Sequence, residues 1–346
     1  MMSREDTMTY RAAILAAALL SGMFATFSSS AQAADPVKIR VGWIVIPSNL
    51  APILFAKAGI GRHNDKSYVL DPVYFSSSSA EITALAIEQI DIAAMGFSTL
   101  PLAIENAGLK DLRLLADEVQ DGNGSGFTLQ FMVRRDSNIN SVTDLKGKVL
   151  ATIGIGTGAH TGMLATLQKF GLQDKRDYTV IETPFPTMKG MLKDGKADLI
   201  AVTTGFAADP ELNSIARTLF TQKDGMGPSA LSFWAARSGF IAKNRAALVD
   251  FLEDSVRATR WYKDPANRKE AVEIVAKAIK QPPERIAPWL FSDNDDFYRD
   301  PDLAINLRAL QSNVDLLQKL GIIKTGIQVA QYSDASLLNE ALARLK

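Results

Sequence analysis

The order of strand and helix patterns repeats along this chain, and this repeat is the feature that most constrains its fold. The stretches "AIEQIDIAAMG" and "MLKDGKADLIAVT" each join an amphipathic helix, an aspartate and a short apolar strand. Helix patterns separate the predicted strands, which are Val37–Trp43, Tyr68–Phe75, Asp91–Met95, Val149–Ile153, Tyr178–Glu182 and Asp198–Val202. The sequence therefore predicts an α/β fold of two lobes, each a mainly parallel sheet flanked by helices.

Three predicted helices are used again below. They are Leu50–Ala58, Gly158–Phe170 and Pro283–Leu290. After a strand at Leu231–Arg237, the pattern is mostly helical to the end of the chain. The length of 346 residues favours two domains, and 38 basic against 38 acidic residues give no basic excess for nucleic acid.

The N-terminus has the pattern of a secretory signal peptide. Arg11 precedes the apolar run Ala12–Leu20, and Ala31-Gln32-Ala33 is a cleavage site of the A-x-A type. We therefore expect residues 1–33 to be removed. The chain has no cysteine, so it has neither disulfides nor a cysteine for a lipid anchor. These features predict a soluble periplasmic protein that is not embedded in the membrane.

Candidate ligand-binding residues follow the strands, because open α/β sheets bind ligands beyond the carboxyl ends of their strands. These loops carry hydroxyls, glycines and aromatic rings but no lysine or arginine. Helix N-termini can hold an anion through unpaired N–H groups, although Ser and Thr are also common N-caps. The candidates are Trp43, Ser48, Phe75, Ser76, Ser77, Ser78, Gly96, Phe97, Ser98, Thr99, Gly156, Thr157, Gly158, His160, Thr161, Phe185, Thr204 and Phe206.

The loop Gly154–Ala159 has the spacing G-x-G-x-x-A, which a dinucleotide-binding fingerprint permits. Glu182, the acid at the end of the next strand, lies 28 residues beyond Gly154, against about 20 in that fingerprint. With two histidines and no cysteine, the chain has no zinc cluster and no Cys–His pair. The acidic run 293–296 lacks the glycine and glutamate of a calcium loop. We expect no cofactor, no metal and no enzymatic activity.

Several stretches resemble the solute-binding proteins of bacterial ABC importers, in the nitrate, sulfonate, taurine and bicarbonate branch. They include "VKIRVGW", "YVLDPVYFSSSSAEITALAIEQIDIAAMG" and "VTDLKGKVLATIGIGTGAHTGMLATLQKFGL". The resemblance implies a bilobed type II binding protein with lobe one at 34–132 and 233–346 and lobe two at 133–232. It also implies that Gly156–Thr161 supplies amides and a hydroxyl to an anionic group. A departure from the family is Thr203–Phe206, which lacks an aromatic–acidic pair.

We therefore predict a monomeric protein that binds a small organic anion, a sulfonate or an aromatic or aliphatic carboxylate, and delivers it to ABC permease subunits by closing its cleft. Three alternatives stay open. One is an exported oxidoreductase that uses Gly154–Ala159, and another is a partner-recognition module without a small ligand. The third is binding of a thiamine-precursor-like solute, whose charge calls for an acidic residue in the candidate loops.

Overall fold

The computed structural model describes residues 35–123, 129–291 and 298–346. The predicted signal peptide and the acidic run 293–296 lie outside these residues. Residues 36–346 belong to one compact unit. Its strands form two five-stranded sheets.

The first sheet has the strand order β2-β1-β3-β10-β4. β1, β2 and β3 are parallel, and β10 runs antiparallel to both β3 and β4. These strands are β1 Val37–Trp43, β2 Tyr68–Tyr74, β3 Ile92–Met95, β4 Leu112–Asp121 and β10 Ser229–Arg237.

The second sheet repeats this arrangement with the order β7-β6-β8-β5-β9. Its strands are β5 Leu129–Arg134, β6 Val149–Thr152, β7 Thr179–Glu182, β8 Leu199–Thr203 and β9 Ala216–Thr221. The predicted α/β class with two helix-flanked sheets is confirmed. Each sheet is mixed, because two antiparallel strands join the parallel set of three.

Helices lie on both faces of each sheet. The helices between β2 and β10 are α1 Ser78–Ala86, α2 Thr99–Asn106, α3 Gly158–Lys169, α4 Phe185–Lys193, α5 Thr204–Ala207, α6 Pro210–Ile215 and α7 Gln222–Met226. The later helices are α8 Ser238–Lys243, α9 Arg245–Lys263, α10 Arg268–Ile279, α11 Pro283–Ile286, α12 Leu307–Lys319 and α13 Ser336–Arg344. Among the described residues, no helix is long and apolar enough to cross a membrane.

Two predicted helices are wrong. The stretch Leu50–Ala58 contains only a 3-10 turn at Ala51–Ile53, and Pro283–Leu290 is helical only as far as Ile286. The apolar spacing in the first stretch reflects packing of Leu50, Ile53 and Leu54 into the core rather than a helix face.

The predicted lobe boundaries fall inside strands. β5 belongs to the second sheet from Leu129, and β10 belongs to the first sheet from Ser229. The chain therefore crosses from the first sheet to the second before residue 129 and crosses back before residue 229. Each crossing lies four residues earlier than the predicted lobe boundary. The division into lobes itself remains our interpretation.

Each sheet separates two apolar clusters. In β10, Phe233 packs with Leu310 and Val314 of α12, whereas the next residue, Trp234, packs with Phe251 of α9 on the opposite face. The second sheet alternates in the same way, with Phe131 facing α3 and Met132 facing α4. Alternation of side chains along a strand explains why neighbouring residues serve different clusters.

The packing of α7 on α3 depends on a glycine. A Cβ atom on Gly225 would lie 2.1 Å from Oγ1 and 2.8 Å from the backbone nitrogen of Thr166, and 3.0 Å from the carbonyl oxygen of Gly162. Two of these three atoms are backbone and cannot rotate away. We expect Gly225→Ala to lower the free energy of unfolding by about 1–3 kcal/mol, measured by urea denaturation.

Gly190 provides the matched control. It lies exposed in α4, and a Cβ atom there would meet nothing within 4 Å. Gly190→Ala should raise the free energy of unfolding by up to about 1 kcal/mol through helix propensity. Equal effects of the two substitutions would contradict the close approach of α7 to α3.

Candidate functional site

Both crossings between the sheets start at the edge where the parallel strands end. β4 ends at Asp121 opposite Ser229, the first residue of β10. In the second sheet, β5 begins at Leu129 opposite Thr203, the last residue of β8. The loops that follow β1–β3 and β6–β8 are therefore the parts of each sheet nearest the connections to the other.

Two of the predicted loops are in contact across the sheets. Phe97 follows β3, and its ring packs against Gly158, the first residue of α3. A Cβ atom on Gly158 would lie 3.3 Å from Cζ of Phe97 and 3.8 Å from Cδ1 of Leu231. Phe97 is only 1% exposed, so this contact is buried. The structure thus brings together the candidate loops 96–99 and 156–161.

Hydroxyl groups at the start of α3 are engaged within their own loop. Oγ1 of Thr157 accepts from the backbone nitrogen of His160 at 3.3 Å and donates to the carbonyl oxygen of Gly154 at 2.7 Å. Oγ1 of Thr161 donates to the carbonyl oxygen of Thr157. Thr157 is therefore a helix N-cap, and the amides of Gly158 and Ala159 are the first-turn donors that no intrahelical bond can satisfy.

His160 supports the loop as a neutral side chain. Its Nδ1 accepts from the backbone nitrogen of Gly156 at 3.1 Å, so Nδ1 carries no proton. Burial lowers the pKa of His160, against smaller raising effects of Asp174 and Glu182. The residue fixes the conformation of the glycine-rich turn and adds no positive charge to it.

Glu182 is a residue of this edge that the candidate set missed. It ends β7, and its Oε1 accepts from the backbone nitrogen of Ile155 at 2.6 Å. In the sequence, this acid has a role only in the interpretation of Gly154–Ala159 as a dinucleotide-binding loop. In the structure the carboxylate holds the glycine-rich loop.

The first sheet presents its own helix starts at the same edge. Oγ of Ser77 accepts from the backbone nitrogen of Ala80 at 3.3 Å and caps α1. Ser76 is exposed and Ser78 half-buried beside it. Oγ1 of Thr99 accepts from the backbone nitrogen of Gly96 at 2.8 Å, while Ser98 is buried. As in α3, several of these hydroxyls stabilise the loops that carry them.

The loop after β1 is held by buried polar groups that the sequence did not reveal. Oδ1 of Asn49 accepts from the backbone nitrogens of Ile44 and Val45, and its Nδ2 donates to Oε2 of Glu118 at 2.9 Å. The guanidinium of Arg299, which is 2% exposed, donates to the carbonyl oxygens of Ser48, Pro47 and Glu118. The loop that carries Ser48 is therefore fixed from the protein interior.

Buried carboxyl groups lie beneath this edge of the first sheet. Oε1 of Glu81 accepts from the backbone nitrogen of Ala94 at 2.7 Å. Desolvation raises the pKa of Glu81 to about 8, although that hydrogen bond opposes the shift. Desolvation likewise raises the pKa of Asp117 and of Glu118. Glu81 is therefore protonated at neutral pH and contributes no negative charge.

Aromatic side chains form one pair in each sheet at this edge. The rings of Trp43 and Tyr74 are 4.9 Å apart and tilted by 57°. The rings of Phe185 and Phe206 are 5.4 Å apart and stacked at 30°. A Cβ atom on Gly205, beside Phe206, would lie 3.5 Å from the ring of Trp289. Thr204, the remaining candidate, begins α5 next to this pair.

Two other polar groupings lie elsewhere. Among the described residues, His63, Asp250 and Glu253 could together approach a metal ion, but Arg344 already pairs with Asp250 at 2.7 Å and Arg257 with Glu253 at 2.6 Å. A surface cavity of about 230 Å³ lies at the opposite edge of the second sheet, lined by Arg134, Arg135, Asp136, Lys193, Ser214 and Ile215. Neither grouping contains a candidate residue.

A model of the NMT1-like family matches residues 32–276. The fold is similar to that of the periplasmic aliphatic sulphonate binding protein SsuA from Escherichia coli, with a TM-score of 0.68 at 20% identity over 86% of this chain and 92% of that one. The periplasmic nitrate-binding protein NrtA from Synechocystis has a TM-score of 0.65 at 16% identity, over 90% of this chain and 89% of its own.

An enzyme also has this fold. The desulfurization enzyme DSZB has a TM-score of 0.67 at 15% identity, over 90% of this chain and 100% of its own. At these identities the likenesses show the fold. The periplasmic-binding-protein-like α/β fold that the sequence resemblance implied is thereby confirmed.

The raised pKa of Glu81 predicts a pH dependence of stability. Between about pH 4.5 and pH 8 the folded protein holds a proton on Glu81 that the unfolded chain releases, so stability falls as pH rises through this window. Gln at this position keeps the oxygen for the amide of Ala94 and does not titrate. We expect the free energy of unfolding of Glu81→Gln to fall less between pH 5 and pH 8 than that of the unchanged protein.

Asp117 and Glu118 remain in that variant and titrate in the same direction. The informative quantity is therefore the difference between the two proteins in the slope of the free energy of unfolding against pH. It is measured by denaturation at pH 5, 6.5 and 8. Parallel slopes would contradict a neutral Glu81.

Proposed function

The chain belongs to the NMT1-like family, and on this basis we propose that it is a periplasmic binding protein for a small organic anion, a sulfonate or a carboxylate. In this proposal the solute lies between the two sheets, and the liganded protein presents it to the permease subunits of an ABC importer. The sulphonate- and nitrate-binding proteins that share the fold support solute binding.

The observation that carries the proposal is the contact of Phe97 with Gly158. It joins the loop after β3 in the first sheet to the start of α3 in the second. The starts of α2 and α3 therefore lie near one another. In α2 the amides of Thr99 and Leu100 already donate to the carbonyl oxygen of Gly96, whereas in α3 the amides of Gly158 and Ala159 have no acceptor within the helix. A small anion can be bound by such amides and by the helix dipoles without any basic side chain.

Non-enzymatic binding is the interpretation that this geometry favours over dinucleotide chemistry. The backbone nitrogens of Ile155 and Gly156 already donate to Glu182 and His160. The chain also lacks any cysteine that could act as a nucleophile.

A thiamine-precursor-like solute is the second candidate. The candidate loops carry no acid to match its charge, but Glu182 lies beside them at the end of β7. This carboxylate is the one observation in its favour. The solute class, the permease partner, the monomeric state and the periplasmic location, with the signal peptide on which it rests, are all parts of the proposal.

A matched pair of substitutions tests the proposed amide donor. Gly158→Pro removes the N–H group at the first helical position, where proline fits, and Thr157 before it is extended (φ −73°, ψ 168°) as proline requires. Gly158→Ala adds a Cβ atom against Phe97 but keeps the N–H group. We expect the proline variant to bind about 10-fold or more weakly than the alanine variant, the range of a hydrogen bond to a charged group.

Solutes for this test come from a thermal-shift screen with benzenesulfonate, methanesulfonate, benzoate, acetate, nitrate and 4-aminopyrimidine. Affinities of the two variants are then measured by titration calorimetry on protein whose unfolding midpoint is recorded first. Equal affinities of the two variants would refute the role of this amide, and no stabilisation by any of the solutes would refute the proposed function.

A further inference from the structure

Exposed apolar side chains are concentrated at one edge of both sheets. Among the described residues, seven large hydrophobic side chains are exposed, and two of them, Ile87 and Phe170, lie at the far ends of α1 and α3. The other five follow or end parallel strands: Val45, Tyr74, Ile153, Ile155 and Phe206. These five side chains therefore come from both sheets and lie at the edge where the parallel strands end.

Two of these five side chains, Tyr74 and Phe206, are aromatic rings. Tyr74 is 60% exposed and rests on Trp43, and Phe206 is 36% exposed and rests on Phe185. Each sheet therefore offers one exposed ring that a second ring supports from behind. Supported rings of this kind are rigid surfaces for stacking, because little side-chain entropy is lost when a ligand binds to them.

The repeated topology relates the two pairs to each other. β1 and β6 occupy equivalent places in their sheets, as do β3 and β8. The loop after β3 touches the loop after β6 through Phe97 and Gly158, so equivalence places the loop after β8 near the loop after β1. The contact of Gly205 with Trp289 agrees, because Trp289 packs against the same apolar cluster as Trp43.

From this placement we propose that the solute carries a planar aromatic ring, which binds between the Trp43–Tyr74 pair of one sheet and the Phe185–Phe206 pair of the other. This inference rests on the proposed function and deepens it. The ring is common to an aromatic sulfonate, an aromatic carboxylate and an aminopyrimidine. In this proposal the amides at the start of α3 hold the polar group of the solute. Glu182 is the carboxylate that holds the glycine-rich loop beside them.

Stacking is the property that separates this proposal from general apolar burial. Offset or edge-to-face contacts between rings add to the effect of the area that they bury. A saturated ring of similar size buries similar area but lacks the π-system. Benzoate should therefore bind more tightly than cyclohexanecarboxylate, by about three- to tenfold.

The experiment measures affinities by titration calorimetry for benzoate, cyclohexanecarboxylate, benzenesulfonate, methanesulfonate and 4-aminopyrimidine. It uses the unchanged protein, Tyr74→Leu, Phe206→Leu and the control Phe170→Leu. Phe170 is 51% exposed at the far end of α3, so its substitution matches that of Phe206 in kind. We expect Tyr74→Leu and Phe206→Leu to reduce the preference for the aromatic ring to less than half, and Phe170→Leu to leave it unchanged.

The outcomes separate the two proposals. If anions bind but the saturated and aromatic rings are equal, the aromatic inference is wrong and the proposed function stands. A preference for the aromatic ring that persists in both Tyr74→Leu and Phe206→Leu also overturns the inference. A solute concentration of about 10 mM detects binding even when the Kd is in the millimolar range. If none of the five solutes binds at that concentration, both proposals fail.

Discussion

The constraint on which the rest of the structure depends is that both crossings between the sheets leave from the same edge. One buried side chain links them: Nε2 of Gln222 donates to Oδ2 of Asp121 at 2.9 Å and to Oγ of Ser229 at 3.0 Å. Gln222 is 0% exposed and packs against Gly162 of α3. Because the end of β4, the end of β9 and the start of β10 are tied together there, the loops that follow the parallel strands of both sheets are kept close to one another.

Buried polar groups beneath this edge make it rigid before any solute arrives. Arg299 satisfies the carbonyl groups of Pro47 and Ser48 in the loop after β1, and Asn49 satisfies the amides of Ile44 and Val45. Unmade hydrogen bonds there would be costly. Glu81 is neutral because ionisation in this environment is unfavourable. The loop after β1 is therefore held in place before a solute binds, which lowers the entropic cost of binding.

Sequence patterns predicted what depends on local order and missed what depends on distant partners. Phe97 and Gly158 were both candidates because each follows a strand, and the structure brings them into contact. Arg299 and Glu118 have long-range partners and would be exposed by composition alone, so no pattern revealed that they are buried. The sequence also did not predict β4, because its residues Asp117 and Glu118 interrupt the apolar alternation. The hydroxyls of Ser77 and Thr157 were visible, but both cap helices.

The central claim is that both sheets contact one small solute at the edge where their parallel strands end. Hydrogen–deuterium exchange, with and without the tightest-binding solute of the screen, tests it most directly, because a bound solute slows the exchange of amides in the segments that it contacts. We predict slower exchange at 96–99, at 156–161 and at 203–206 together. Slowing confined to one sheet, or found instead around the cavity lined by Arg134 and Lys193, would contradict the account.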